Sequence, residues 1–379
     1  MDAWQKIDLL GEAARNDICR GCGTHSSSQK DDIGRWIYPA IRPDGKRVRL
    51  LKILQTNVCV KDCRYCANRS QRDVRRATFG PDELAKAFDE LVRSGLAEGL
   101  FLSSGVCGNA NHAMERMLAT AEILRRHYRF GGYLHLKILP GTDRESIRAA
   151  VRIAQRVSVN LEAPNAQRLH YLSAAKDYEE LLGSLKEADR QRQELGCAVS
   201  ITTQFVAGGA GESDRELLMT SAQLYAQLRL ARAYYSAFQP VQNTPLENQP
   251  PTPTWREHRL YQADFLLRQY GFQVDELPFD AQGNLPRGED PKLSWARRHP
   301  ECFPIEVNTA ERQDLLRVPG IGPRYAQRIL ARRKQGTLSE LKHLGLSKAC
   351  AQRAAPFILL NGKAPLIQRA LWPVGSWPA

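Results

Sequence analysis

The sequence predicts an α/β protein. A parallel sheet of six strands, curled into an open barrel with its helices outside, is followed by a small all-α module. Two observations carry the first part of that reading. Short apolar runs alternate with longer helical patterns over residues 48–240, and alternation repeated this often builds a parallel sheet with helices around it. Several of the apolar runs also carry a period-two polar face, which a barrel directs into its lumen. The second part rests on residues 304–379, where only short helical patterns joined by a Gly-rich turn remain. A doubly wound sheet shows the same alternation, and strand order is not legible in a sequence.

Composition narrows the class. Of 379 residues, 42% are hydrophobic and 25% charged, ordinary for a globular chain. That length allows two or three domains at about 100–200 residues each. No apolar run approaches the roughly 18 residues of a membrane span. Met1–Lys6 shows no basic stretch leading into an apolar one, so a cytoplasmic protein without a membrane partner is expected. The net charge is +13. Residues 304–379 hold 12 Lys and Arg against 4 Asp and Glu, net +8, which leaves +5 for the other 303 residues. A basic tail suggests a separate module with a polyanionic partner. Nine cysteines in such a compartment are reduced thiols or ligands rather than disulfides.

In chain order, residues 1–47 form an N-terminal extension with a helical start and one CxxC, Cys19 and Cys22. With no matching pair after it, this CxxC either binds a metal or second cluster or does nothing of the kind. Residues 48–241 form the barrel. Its strands are predicted at Arg49–Gln55, Gly99–Ser103, Tyr133–Leu139, Ser158–Glu162, Ala198–Val206 and Ala233–Phe238. Its five helices begin at Pro81 and near Ala110, Asp143, Asn165 and Ser213. Pro81 in an opening turn, Asp82 and Glu83 beside the positive helix end and Gly95 as a stop mark the first. Residues 242–304 are Pro-rich, with one helix over Trp255–Tyr270, and read as a capping or linking segment. Asn308 with Glu311 makes a capping-box-like start to the last module, 305–362. Residues 363–379 are a tail.

The chemistry gathers at Cys59-Val60-Lys61-Asp62-Cys63-Arg64-Tyr65-Cys66, directly after the first strand. Three thiolates at CxxxCxxC spacing on one tight loop can hold three irons of a [4Fe–4S] cluster. No fourth ligand follows, which leaves one iron open for a substrate. Zinc would need a fourth Cys or His at finger-like spacing, and none is near. The isolated Cys107, Cys197, Cys302 and Cys350 read as small buried hydrophobes. With an aromatic residue, Tyr65, before the third cysteine, the motif resembles that of the radical S-adenosylmethionine (SAM) superfamily. The resemblance covers about residues 48–240. It implies a partial (β/α)6 barrel, SAM chelated to the open iron, an external electron donor, and reductive cleavage to a 5′-deoxyadenosyl radical. The turn that receives the SAM amine would be Ser103-Ser104-Gly105, which lacks the usual Glu and must use hydroxyls or backbone. The ribose contacts would fall to Asn160 and Glu162. Lys137 and Gln204 share the inward polar faces of their strands, and Lys137 could pair with a carboxylate.

In the tail, Leu315-Leu316-Arg317-Val318-Pro319-Gly320-Ile321-Gly322-Pro323-Arg324 resembles a helix-hairpin-helix, a unit that binds DNA without reading its sequence. Glycines let a phosphate approach the backbone, and free N–H groups at a helix start form an anion site. Pro319, Gly320, Ile321, Gly322, Arg324 and Arg328 are the candidate contacts. A second unit at Leu338–Leu346 lacks the second glycine and completes the fold. From about Leu50 to Gly362 the chain resembles a radical SAM family described as DNA modification or repair proteins, associated with a uracil-DNA-glycosylase-like partner. That resemblance implies DNA as substrate, reaction unassigned. RNA, including tRNA, is a second reading, and a non-catalytic Fe–S sensor that binds DNA is a third.

Overall fold

A computed structural model describes residues 1–14, 34–41 and 45–366. Cys19, Cys22 and most of the tail lie outside the described residues. The chain divides into two compact units, Met1–Tyr261 and Gln262–Ala379. The division runs through the Pro-rich segment expected as one cap, so 242–261 belongs to the first unit and 262–304 to the second.

Among the described residues the first unit is built on a seven-strand sheet. Its strands are β1 (Ile37–Ile41), β2 (Arg47–Leu54), β3 (Gly99–Ser103), β4 (Tyr133–Lys137), β5 (Arg156–Ser158), β6 (Ser200–Ala207) and β7 (Arg232–Ala237). They lie in sequence order, β1 antiparallel to β2 and every later pair parallel. A doubly wound sheet reverses order at a switch point. This one does not, so the curled half-barrel expected from the sequence is the fold. The helices are α1 (Ala3–Ala13), α2 (Pro81–Arg93), α3 (Ala110–Arg126), α4 (Arg144–Ile153), α5 (Ala166–Leu172), α6 (Tyr178–Glu194), α7 (Asp214–Leu228) and α8 (Thr254–Gln269). Asn109, Asp143, Asn165 and Ser213 each accept a backbone N–H in the first turn of the helix they open, where the sequence places the starts.

Two faces of the strands differ sharply. Leu51, Ile53, Leu134, Leu136, Ile201 and Phe205 are fully buried on one side, each burial stabilising the fold by about 1.5–3 kcal/mol. The opposite parity carries Lys52, His135, Lys137, Arg156, Ser158, Thr202 and Gln204, the lumen face. Val48, Leu50, Phe101 and Tyr133 pack together as an apolar floor at one end of it.

Three elements depart from expectation. β1 is additional; Pro39 within it argues against a strand unless that strand is an edge, which this one is. β5 stops at Ser158, not Glu162. The chain leaves the ladder and returns at Glu162, which donates to Gln204 O at 2.9 Å and accepts from Val206 N at 2.8 Å. Glu162 does so at φ +65°, a left-handed conformation that a non-glycine residue keeps only when its surroundings enforce it. The single helix expected from Asn165 is two, α5 and α6.

The second unit contains α9 (Pro291–Arg298), β8 (Ile305–Glu306), α10 (Arg312–Arg317), α11 (Pro323–Arg333), α12 (Lys348–Ala354) and β9 (Ile358–Leu359). β8 and β9 pair in parallel, so the module is helical with one short ladder rather than purely α. Leu315, Leu316, Val318, Ile321, Ala326, Ile329 and Leu344 form its core. Glu311, not Asn308, caps α10, with Asp314 completing the box. Asn308 instead exchanges two hydrogen bonds with the Leu338 backbone, at 3.0 and 2.9 Å.

Candidate active site

β2 delivers the cysteine loop at its C-terminal end, and polar side chains there bond the backbone. Thr56 Oγ1 donates to Ala77 O at 2.9 Å, and Asn57 both donates to Arg75 O and accepts from Ala77 N. Arg76 holds the loop from behind, donating to the carbonyls of Asn57, Asn68, Arg69 and Arg72. A second brace comes from the loop after α5. Leu172 O accepts from Arg64 N at 2.8 Å, Ala175 O from Lys61 Nζ at 2.9 Å, and Ser173 Oγ from the Cys63 thiol at 3.2 Å. Neither brace was singled out from the sequence.

Cys63 is buried, and Cys59 and Cys66 are half-buried. Burial pushes the Cys66 thiol up to about 12, and the neighbouring Cys63 and Cys59 push the same way against the Asn68 N–H. A cation beside the Cys66 sulfur would favour its thiolate. Among the described residues no three His, Cys, Asp or Glu side chains form a group for a single metal ion. Thiolates on three different irons of a cubane stand farther apart than the donors around one ion.

The turn after β3 lies against this loop. Gln55 N donates to Ser103 O and Gly105 N to Thr56 O, both at 2.7 Å. A methyl group on Gly105 would run into Val58 O and meet Cys59 Cβ at 3.2 Å, so the close approach requires glycine. Ser104 Oγ donates to Gly105 O at 2.8 Å. Across the loop, Glu162 and Asn160 are buried. Glu162 Oε1 pairs with Lys176 Nζ at 3.1 Å, and that ammonium lies 3.4 Å from the Tyr65 hydroxyl. Burial would lower the Lys176 ammonium, but Cys63, Glu162 and Tyr65 hold it well above its ordinary value. Burial, with Glu162 beside it, holds the Tyr65 phenol protonated. The partner of Glu162 is therefore Lys176, not Lys137, which ends β4 opposite Ser158. Gln204 donates to Ser236 Oγ at 2.9 Å. The structure thus gathers Cys63, Tyr65, Glu162 and Lys176, with Ser103–Gly105 beside Cys59, and leaves Lys137 and Gln204 on their strands. Lys176 sits in a loop with no periodic face, and only the buried acid at Glu162 hinted that a cation was needed.

The hairpin turn joins α10 to α11. Gly320 has φ +85°, and a methyl there would stand 2.5 Å from Cys350 O. Pro319 and Ile321 are buried in the module, while Gly322 caps α11 with no side-chain bond to the helix start. Arg324 is exposed on the first turn. Arg328 donates to Gly345 O at 2.5 Å and Arg332 to His343 O at 2.9 Å, tying α11 to the second unit's turn. Lys292 donates to Ile321 O at 2.5 Å from beneath and lies over the Tyr270 ring. Burial, with Arg317 nearby, lowers its ammonium to about 7 despite Asp290. It too was missed, since nothing near it in sequence marks it.

Residues 53–224 match the radical SAM superfamily. Residues 303–359 match the helix-hairpin-helix motif. No curated protein matches the chain. Among solved structures, the chain is similar to HydG, a maturase of the [FeFe]-hydrogenase. Identity is 15% and the TM-score 0.47, over 57% of this chain and 48% of that one. HydG from Carboxydothermus hydrogenoformans gives 12% and 0.48, over 57% and 51%. A radical SAM methyltransferase from Sphaerobacter thermophilus gives 18% and 0.45, over 62% and 71%. The chain spans about half the length of the two maturases.

The radical SAM family uses a [4Fe–4S] cluster and SAM, and residues 53–224 match that family. The residues present fit the group. Burial, with Cys63 and Cys59 beside it, disfavours the Cys66 thiolate, so a cation there would favour it, and the Gly105 turn packs tightly against the loop that carries all three cysteines. No helix among the described residues is long and apolar enough to cross a membrane.

Proposed function

We propose that this radical SAM enzyme acts on nucleic acid, and on DNA in particular, in the modification or repair of a base. The observation that supports this is the pairing, in one chain, of a radical SAM domain with a helix-hairpin-helix motif. The hairpin's glycine turn and uncapped α11 start suit a phosphate. Such contacts position a protein on a duplex without reading bases, so the target nucleotide would be presented, perforce unstacked, to the barrel mouth.

Cys59, Cys63 and Cys66 would hold the cluster, leaving its fourth iron for SAM. When bound, the pair supplies a 5′-deoxyadenosyl radical that abstracts hydrogen. The chain's own residues orient and protect. Ser103, Ser104 and Gly105 would offer hydroxyl and carbonyl oxygens to the SAM amine, and Asn160 and Glu162 would meet the ribose. Lys176 keeps the Glu162 carboxylate in place and itself lies against the protonated Tyr65 hydroxyl. Lys137 and Gln204 remain candidates for the outer part of the nucleoside. Pro319–Gly322, Arg324 and Arg328 would face phosphate. The reading includes an electron donor, a uracil-DNA-glycosylase-like partner and a cytoplasmic place, and it keeps 305–362 as the nucleic-acid module.

The test is anaerobic reconstitution of the full chain with SAM and a reductant, with duplex DNA, tRNA or neither. Mass spectrometry then follows 5′-deoxyadenosine and altered nucleosides. Duplex DNA should raise the 5′-deoxyadenosine yield and leave a changed nucleoside. A change in tRNA alone would move the substrate to RNA, and identical yields without either polymer would overturn the proposal.

A further inference from the structure

We infer that Ser173 is a positioning residue of the cysteine site: its hydroxyl donates to the Cys63 sulfur once that sulfur is a thiolate, and so makes a [4Fe–4S] cluster held there easier to reduce. The inference deepens the radical SAM reading and rests on it, and it assigns a role to a residue outside the cysteine motif.

Ser173 is fully buried, and the Cys63 thiol donates to its Oγ at 3.2 Å. Among the described residues no other group meets that hydroxyl through a hydrogen bond, so its own proton has no acceptor while Cys63 keeps one. A sulfur that holds iron has lost its proton. It then accepts and no longer donates, whereas a hydroxyl does both. The bond has a single direction left, from Ser173 Oγ to Cys63 Sγ, and the buried hydroxyl gains the acceptor that it lacked.

The chain fixes that oxygen from both sides. Leu169 and Leu172 anchor α5 in the core, both fully buried, and Ser173 N closes the helix by donating to Leu169 O at 2.8 Å. Leu172 O accepts from Arg64 N at 2.8 Å, and Ala175 O accepts from Lys61 Nζ at 2.9 Å. Residues on either side of Ser173 are thus tied to residues on either side of Cys63. A donor held in this way needs no reorganisation when charge arrives.

Cys63 is also the sulfur at which such a bond counts. It is buried, whereas Cys59 and Cys66 are half-buried, and a hydrogen bond away from water is less screened. Cys66 accepts from Asn68 N at 3.4 Å, a backbone donor that substitution leaves in place. Hydrogen bonds to the sulfurs help to set the potential of such a cluster. Reduction adds one electron, and the extra negative charge strengthens a bond to its donor. The reduced form therefore gains more than the oxidised one, and the potential rises.

The test is a redox titration of the full chain, reconstituted anaerobically with iron and sulfide and kept free of SAM and nucleic acid. Dithionite supplies the electron, and electron paramagnetic resonance reads the reduced form. Ser173→Ala removes the hydroxyl and leaves the Lys176–Glu162 pair in place. It should take up iron and sulfide like the parent. Its ratio of reduced to oxidised cluster at a fixed potential should fall about tenfold, a midpoint lower by about 59 mV for one electron. Ser173→Thr keeps the hydroxyl and should return the midpoint to that of the parent. A Ser173→Ala midpoint equal to the parent's, or a Ser173→Thr midpoint equal to that of Ser173→Ala, would overturn the inference. So would much lower iron uptake by Ser173→Ala, which would make the hydroxyl a support for the loop instead. A parent that takes up no iron would sink the cluster reading itself, a failure seen before any variant is made.

Discussion

Arg76 donates from both ends of its guanidinium to four carbonyls of the cysteine loop, at 2.5–2.9 Å. A planar fork serves four acceptors that a lysine, as a point charge, does not. Arg76→Met keeps the stem and removes every donor. It should lower the stability of the first unit by about 3 kcal/mol and cut bound iron to less than half, with all three cysteines intact. Arg76→Lys should recover only part. Denaturant midpoints and iron and sulfide analysis check both, and parent-level iron in Arg76→Met would show that the loop holds itself. The cysteines were legible because their meaning lies in a spacing of eight residues. Arg76, Lys176 and Lys292 were not, because each acts on a backbone carbonyl or a distant carboxylate, and neither leaves a mark beside the residue in sequence.

At the scale of elements, the hairpin depends on a glycine for two reasons at once. Gly320 has φ +85° and lies in contact with the Cys350 carbonyl. Gly320→Ala should destabilise the second unit by about 1–3 kcal/mol and weaken duplex binding as the turn shifts. Thermal unfolding and fluorescence anisotropy measure the two effects; an unchanged variant in both would remove the turn from the interface. The helix starts were legible from Asn109, Asp143, Asn165 and Ser213, since a cap is a local device. The break between α5 and α6 was not. Its loop, Ser173-Ala174-Ala175-Lys176-Asp177, has no Gly or Pro to punctuate it, and the chain turns there to brace the cysteines. β5 was overrun for a related reason: Asn160 and Glu162 continue the polar alternation after the backbone has left the ladder. Period-two patterning reports which face a side chain takes, not whether the strand persists.

For the whole molecule, the same limit explains why the barrel was expected but its strand order was not: alternation specifies faces, and neighbours are set by packing. Charge was legible outright. With net +8 in residues 304–379, duplex affinity should fall with salt, each phosphate contact adding about −0.9 to the log–log slope. Arg324→Gln should reduce that slope by about one unit. Arg324→Glu with Arg328→Glu should weaken unrelated duplexes alike, and an unchanged slope would place the contacts elsewhere. The brace on Cys63 has a further consequence, in time rather than space. Ser173 follows Cys63 by 110 residues. At about 5–20 residues per second, it leaves the ribosome on the order of ten seconds later. Through that interval the three thiols emerge on a loop whose far wall has not been made. If these cysteines hold the proposed cluster, its loading would be a late event, and a nascent chain met early by oxidant would lose the thiols before it could use them.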